Sequence, residues 1–342
     1  MSFTTSAPLS SSTPATIDVL GIGNALVDVL SLTPDEVIAS LSIAKGSMNL
    51  VEEDRMAEIY AAMGAATEAS GGSAANTMAG LASLGARAVF TGRVRDDVLG
   101  KVFAHDLTAI GVGWAGSTVS DGPATGCCLI LVSPDAERSM NTFLGASSLL
   151  GPEDLAFAEI ASAAIVYLEG YLFDRDDAQA AYRVASHTAH SAGRRVALTL
   201  SDTFCVERHR EAFLDLVHSH VDILFANEGE LCALYDTTDI DAAIASVREH
   251  CPLSAVTLGE HGAVIVTADE EIRVPAEHVT QLLDTTGAGD QFAAGFLAGL
   301  VRDLPLADCG RIGNIAAAEV ISHIGPRPQA DLATLAQSVL PR

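Results

Sequence analysis

A glycine-rich turn that runs directly into a helix can hold an anion, and a carboxylate in the first turn of that helix can take a proton beside it. Asp284-Thr285-Thr286-Gly287-Ala288-Gly289-Asp290-Gln291-Phe292 supplies both. Gly287, Ala288 and Gly289 carry little or no side chain, so their backbone N–H groups can approach a phosphate closely, with the positive end of the helix dipole facing the same point. Asp290 then stands where phosphate charge develops. Phe292, Phe296 and Leu300 recur four residues apart with small residues between them, which predicts a helix packed closely against a sheet. A bare Gly-Ala-Gly also opens tightly packed helices that bind nothing, so the reading depends on what the rest of the chain offers.

Three other places carry residues of the right type. Gly71-Gly72-Ser73-Ala74-Ala75-Asn76 precedes a helix from Thr77 to about Gly85. Paired glycines there would let a polyol lie against bare backbone, and Asn76 brings a donor and an acceptor to hydroxyls; a flexible turn is the alternative. The apolar run Ile17 to Val29 ends in Gly21-Ile22-Gly23 with Asp28 just beyond, as a buried parallel strand with a ligand at its C-terminal end would. Leu26 occupies the third glycine of G-x-G-x-x-G, which removes a dinucleotide reading, and no GxxxxGK[ST] occurs. Asn227 and Glu230 stand three apart at a helix start, a spacing that serves a capping box as well as it serves a cation site.

The composition narrows the classes. With 342 residues and 49% hydrophobic side chains, the chain can bury one large core or a core with a smaller appended part. A formal charge of −25 opposes nucleic-acid and anionic-membrane partners and repels nucleotides at long range. Nucleotide binding therefore requires local cradles and a divalent cation. The six cysteines show neither CxxC spacing nor a Cys/His metal pattern, and read as reduced thiols of a cytoplasmic protein. No apolar run approaches the ~20 residues needed to span a bilayer. Residues 1–15, rich in Ser, Thr and Pro and lacking a basic residue, read as a disordered tail rather than a secretory signal.

The elements that must position these groups follow from the rhythm of the chain. From about residue 150, apolar runs such as Ile165 to Leu168, Val196 to Leu200, Ile223 to Ala226 and Ala255 to Leu258 alternate with helical stretches, which is parallel-sheet material. The N-terminal half instead holds short β pieces, among them Ser47 to Val51, Thr125 to Val132 and the strand Arg138 to Ala146, separated by a turn at Pro134-Asp135.

The Asp284 to Phe292 stretch with its small-residue helix, Gly71 to Asn76, and Gly92-Arg93-Val94-Arg95-Asp96-Asp97-Val98-Leu99-Gly100 together resemble the signatures of the pfkB carbohydrate kinases, the ribokinase-like family. The resemblance covers residues of about 17 to 330. It implies an α/β fold: a doubly wound, mostly parallel sheet flanked by helices within one domain over residues 16–342. A small β-sheet lid would come from segments at about 28–60 and 113–145.

The activity implied is transfer of the γ-phosphoryl group of ATP to a primary hydroxyl, with Asp290 as base and Gly287, Ala288 and Gly289 as the anion hole. Asp28, Gly71, Gly72, Asn76 and Glu169 match positions that bind substrate hydroxyls, and Arg138 one that closes over the phosphates. Asn227, Thr257, Gly259 and Asn314 match the ATP-binding region. Glu230 matches a position near hydrated Mg²⁺, and Asp284 with Thr286 a potassium site. Met140, Leu144, Leu172 and Phe204 match apolar walls around the base in adenosine kinases, whereas Glu169 matches an acid of ribokinases. The expected acceptor is a nucleoside, chiefly adenosine; a free sugar such as ribose or fructose, and a non-catalytic binding protein on the same fold, are the alternatives. A small molecule is the only partner expected, the protein being a monomer or homodimer.

Overall fold

The computed structural model describes residues 14–135 and 137–340. The expected tail therefore lies largely outside the described residues. In chain order the strands are β1 Ile17–Ile22, β2 Leu26–Leu32, β3 Met48–Leu50, β4 Ala66–Gly71, β5 Ala88–Thr91, β6 Arg93–Arg95, β7 Gly113–Trp114 and β8 Ser117–Val119. They continue with β9 Gly126–Val132, β10 Arg138–Phe143, β11 Ala163–Glu169, β12 Arg195–Thr199, β13 Ile223–Asn227, β14 Leu253–Thr257, β15 Ala263–Thr267 and β16 Glu271–Val274.

Nine of these form one sheet in the order β16-β15-β14-β13-β12-β11-β1-β5-β7. It is parallel from β14 to β7, and β15 and β16 return antiparallel at one edge. Central strands read as unbroken apolar runs because both faces are covered. In β11 only Ala164 is even partly exposed. Phe90, Phe103, Phe292 and Phe296 anchor the core on one face, and Phe173, Tyr182 and Phe213 anchor it on the other. This is the doubly wound arrangement that the strand and helix alternation requires.

The chain leaves β1 toward β5 on one side and returns to β11 on the other. Strand order thus reverses at β1, and the crevice outside the carboxyl ends of strands at such a point is where open α/β sheets bind ligands.

A second sheet has the order β3-β10-β9-β2-β4, and its strands share the lining of one cavity with residues at the carboxyl ends of β1 and β11. Alternation along β9 explains its two faces. Cys127, Leu129 and Leu131 point into the main core, while Cys128 and Ile130 join Leu30 and Met140 on the opposite face. The boundaries differ from those expected. Gly113–Trp114 edges the large sheet, Ser117–Val119 pairs with β6, and the small sheet begins again only at Gly126. β4, outside the expected segments, pairs antiparallel with β2. Its sequence, Ala-Thr-Glu-Ala-Ser-Gly, lacks the apolar β-branched run by which strands are recognised. Among the described residues no helix is long and apolar enough to cross a membrane.

Candidate active site

The helix Ala288–Leu300 starts where Gly287 adopts φ 80°, a left-handed conformation that suits glycine. A side chain at Gly287 would also meet the Pro326 carbonyl oxygen at 2.6 Å, so the turn is held against the loop after the helix Leu306–Val320. At Gly289, by contrast, a Cβ would meet nothing within 4 Å. The first-turn amides of Gly289 and Asp290 precede any i−4 carbonyl of their own helix and so have no partner within it. Ala288 differs from expectation, because its amide donates to the Thr285 carbonyl at 3.2 Å and closes the turn instead.

Asp290 is held at both oxygens. The Ser73 hydroxyl donates to Oδ1 at 2.6 Å and Asn76 Nδ2 donates to Oδ2 at 3.2 Å. Both donors sit in the first turn of the helix Ser73–Ser83, which Gly72 enters at φ 96°. Burial pushes the Asp290 carboxyl up to about 6, against the two donors. A carboxylate at that position can accept a proton near neutral pH.

A cavity of about 340 Å³ opens beside Asn76 and Ser73. Its floor, at the ends of β1 and β11 and along β2, is polar: Asn24, Asp28, Asn76 and Glu169. Its roof is largely apolar, with Met48, Leu50, Ile130 and Met140 from the small sheet and Leu144 just beyond β10, beside Tyr171 and Phe204 from the main body; the charged Arg138, Asp174, Asp202 and Arg208 line it as well. Gly71 makes room for Asp28, whose carboxyl would lie 2.5 Å from a Cβ there. Burial pushes Asp28 up to about 6, against the positive charges of Arg327 and Arg138. Phe204 stands 73% exposed at the rim.

Leu172 does not face this cavity. After Glu169 the chain makes a tight turn, Gly170–Asp174, that sends Leu172 into the core and leaves its neighbour Tyr171 on the cavity side. Glu169 is 1% exposed, and its oxygens already accept from Asn24 N, Asn24 Nδ2 at 2.8 Å and Ala74 N at 2.8 Å. It fastens the end of β1 to the start of the Ser73 helix. Burial pushes it up to about 7, against those same donors.

Asp284 accepts from Thr286 N at 2.9 Å and Gly325 N at 3.0 Å, and pairs with Arg138 of β10. These donors together with the guanidinium hold its carboxyl below the usual range although burial opposes them. Arg138 supplies positive charge at this turn, and Oδ1, with the Thr286 amide as its donor, keeps acceptor capacity for a cation.

At the end of β13, Asn227 and Glu230 form a reciprocal cap. Asn227 N donates to Glu230 Oε2 at 2.9 Å, and Glu230 N donates to Asn227 Oδ1 at 2.8 Å. Burial pushes Glu230 up to about 7, against the Asn227 amide and helped by the nearby charges of Asp202 and Asp290. Carboxylates gathered around Glu230 in this way suit a hydrated divalent cation held through water. Among the described residues no cluster of three or more is placed to bind a metal directly. Thr257 lies beside Asn227 in the paired strands, and Gly259 follows at φ 59°. Asn314 instead donates to the Pro275 carbonyl at 2.8 Å and ties its helix to the chain after β16.

Two groups of residues escaped the sequence reading. Met48, Leu50 and Tyr171 line the cavity, and only their topology brings them there. Arg327 donates to Asn76 Oδ1 at 3.3 Å and to Asp106 at 3.2 Å, yet it stands alone in sequence after Gly325-Pro326.

A family model described as pfkB family carbohydrate kinase matches residues 38–332. The solved structure of adenosine kinase from Sinorhizobium meliloti is 49% identical, covers 95% of this chain and 100% of that one, and superposes with a TM-score of 0.87. An ATP-dependent ribose-1-phosphate kinase from Halopiger xanaduensis is 32% identical over 242 residues, which is 69% of this chain and 75% of the relative. Fructokinase-1 from Zea mays is 28% identical over 243 residues, 69% of this chain and 75% of the relative.

Proposed function

The chain belongs to the pfkB family of carbohydrate kinases, and from that premise we propose that it transfers the γ-phosphoryl group of ATP to the primary hydroxyl of a nucleoside, adenosine above all. One observation carries the choice of acceptor: the cavity sets a polar floor under a largely apolar roof. Asp28 and Asn76 on the floor suit ribose hydroxyls, and Met140, Leu144, Tyr171 and Phe204 suit the faces and edges of a purine. The 49% identity to an adenosine kinase over almost the whole chain supports the same reading.

In this reading Asp290 accepts the proton of the hydroxyl as it attacks, its two oxygens having been oriented by Ser73 and Asn76. The amides of Gly287, Gly289 and Asp290 meet the charge that builds on the transferring group. Glu230, with Asp202 nearby, would hold Mg²⁺ through water. The cation, when bound, neutralises charge on the phosphates of ATP. Arg138 brings its guanidinium from the small sheet to the mouth of the site, so that sheet acts as a lid, built from β2, β3, β4, β9 and β10. The protein works in the cytoplasm as a monomer or homodimer.

A sugar acceptor is the second reading. Glu169 favours it by residue type, as does the 32% identity to a ribose-1-phosphate kinase. A panel with ATP and Mg²⁺ comparing adenosine, inosine, ribose, fructose and ribose 1-phosphate decides between them. Adenosine is expected to give the highest kcat/KM; a ribose, fructose or ribose 1-phosphate value above it would overturn the nucleoside assignment.

A further inference from the structure

Arg327 lies behind the wall of the acceptor cavity, which at this point is Asn76 and Pro326. Its Nη1 is ion-paired with Asp106 Oδ2 at 3.2 Å, and its Nε donates to Asn76 Oδ1 at 3.3 Å. Asp106 is itself fixed, since Oδ2 accepts from Ser70 N at 2.7 Å and Ser70 Oγ at 2.5 Å. A chain of contacts therefore runs from the helix Val98–Ala109 through Asp106, Arg327 and Asn76 to Asp290.

The chemistry of the donors gives this chain a direction. A guanidinium only donates, so the Asn76 amide must turn its oxygen to Arg327. That leaves Nδ2 facing Asp290, which as a carboxylate only accepts. Without Arg327 the amide could rotate and set its oxygen against Oδ2, repelling the base instead of holding it. Arg327 also keeps a buried Nη2 with no hydrogen-bond partner. An orphaned donor costs stability, and such costs persist where a position matters.

We infer that Arg327 is a positioning residue for phosphoryl transfer, which acts through Asn76 to hold the Asp290 carboxylate in line with the acceptor hydroxyl. The inference rests on the reading of Asp290 as base, and the two can fail separately. It differs from a purely structural role for Arg327, which would affect stability without being coupled to Asn76 in turnover.

The test is a double-mutant cycle in the full chain, assayed with ATP, Mg²⁺ and adenosine, with ribose in parallel. Arg327→Ala is expected to lower kcat by about 10²-fold, the scale for misplacing a reacting group by an ångström. KM for ATP should stay within roughly two-fold, since the ATP-facing amides are untouched. Arg327→Ala added to Asn76→Ala should cost almost nothing further, because the first loss removes the path of the second. Arg327→Lys, which keeps one donor, should recover part of kcat. Losses that multiply in the double variant, or a loss confined to KM, would overturn the inference. If Arg327→Ala does not fold, Asp106→Asn keeps the acceptor but drops the charge, and should give a smaller loss of the same kind; unchanged kcat there also overturns it. Asp290→Asn in the same assay separates the two claims. Unchanged turnover in that variant removes the base, whereas a large loss there with a normal Arg327→Ala removes only the positioning role.

Discussion

Arg138 and Asp284, 146 residues apart in sequence, form an ion pair whose side chains are 11% and 9% exposed. The pair joins the small sheet to the turn that begins the helix Ala288–Leu300. Truncating one partner leaves the other charge largely buried without its ion-pair partner. Arg138→Ala is therefore expected to weaken ATP handling and acceptor closure together, lowering kcat/KM by roughly 10 to 10²-fold with the fold retained. Steady-state kinetics against both substrates measure this. A variant with parental kcat/KM would show that the pair is dispensable for turnover.

Asp290→Asn keeps the shape of the side chain and removes the base. General-base losses run to about 10² to 10⁴ in rate, and a fall of that size in kcat is expected with circular dichroism unchanged. Because burial pushes Asp290 up to about 6, parental kcat should rise with pH through that region and level off above it. A flat profile between pH 5 and 8 would count against Asp290 as the titrating base.

Gly287 and Gly289, either side of the helix start, should separate cleanly. Gly287→Val forces a β-branched residue into left-handed backbone and against Pro326, and is expected to cost about 1–3 kcal/mol of stability. Gly289→Val meets open space, so thermal stability should hold while KM for ATP rises, because the added methyls occupy the approach to the helix amides. Equal ATP dependence in parent and Gly289→Val would place the cradle elsewhere.

Phe204 and Glu169 report on the acceptor. For a nucleoside, Phe204→Ala should weaken adenosine binding by roughly 1–3 kcal/mol, the scale of lost apolar contact. Glu169→Gln should act differently: by exchanging an acceptor for a donor against Asn24 or Ala74, it should lower stability more than it changes the preference between adenosine and ribose. Binding isotherms and melting curves on both variants decide this. A selective loss of ribose phosphorylation in Glu169→Gln, with Phe204→Ala normal toward adenosine, would favour the sugar reading.

Stability of the unliganded protein should fall as pH rises through the range where Asp28 titrates. Burial lets folded Asp28 keep its proton up to about pH 6, whereas the unfolded chain releases it near the ordinary carboxylate value of 3.8. The folded state binds more protons between those values, so the stabilising contribution is present below about pH 4 and is lost through pH 6. Its size is on the order of 2–3 kcal/mol. Asp28→Asn is expected to shrink the difference in urea midpoint between pH 5 and 7.5. An undiminished difference would assign the pH dependence to other acids.

The Gly287 turn and the helix it opens were legible because their residues are contiguous: glycines, carboxylate and small residues fall in one stretch whose local geometry is nearly fixed by composition. Gly72 and Asn76 were legible for the same reason. What sequence could not reveal depended on phase or on distance. Tyr171 rather than Leu172 faces the cavity because a tight turn, not a continuing strand, follows Glu169, and one residue of phase changes the face. Asn314 has the right type for a ligand, yet its amide is taken by the Pro275 carbonyl in the same way that Glu169 is taken by Asn24 and Ala74. Arg327 had no local signal at all, since its partners Asp106 and Asn76 lie more than two hundred residues earlier in the chain. The mixed sheet, in turn, could be expected from the alternation after residue 150, while edge strand β4 could not be, because its side chains are small and polar.

The groups that meet in the crevice come from the whole length of the chain: Asp28, Ser73, Asn76 and Arg138 before the first strand of the second half, Asp290 and Arg327 after the last. The chain after β16 carries Phe292 and Phe296, which anchor one face of the main sheet, together with Asp290 and Arg327. Premature termination or proteolysis before them is therefore expected to expose that apolar face as well as remove the proposed base, so loss of the C-terminal part should read out as misfolding and not as a partly active enzyme.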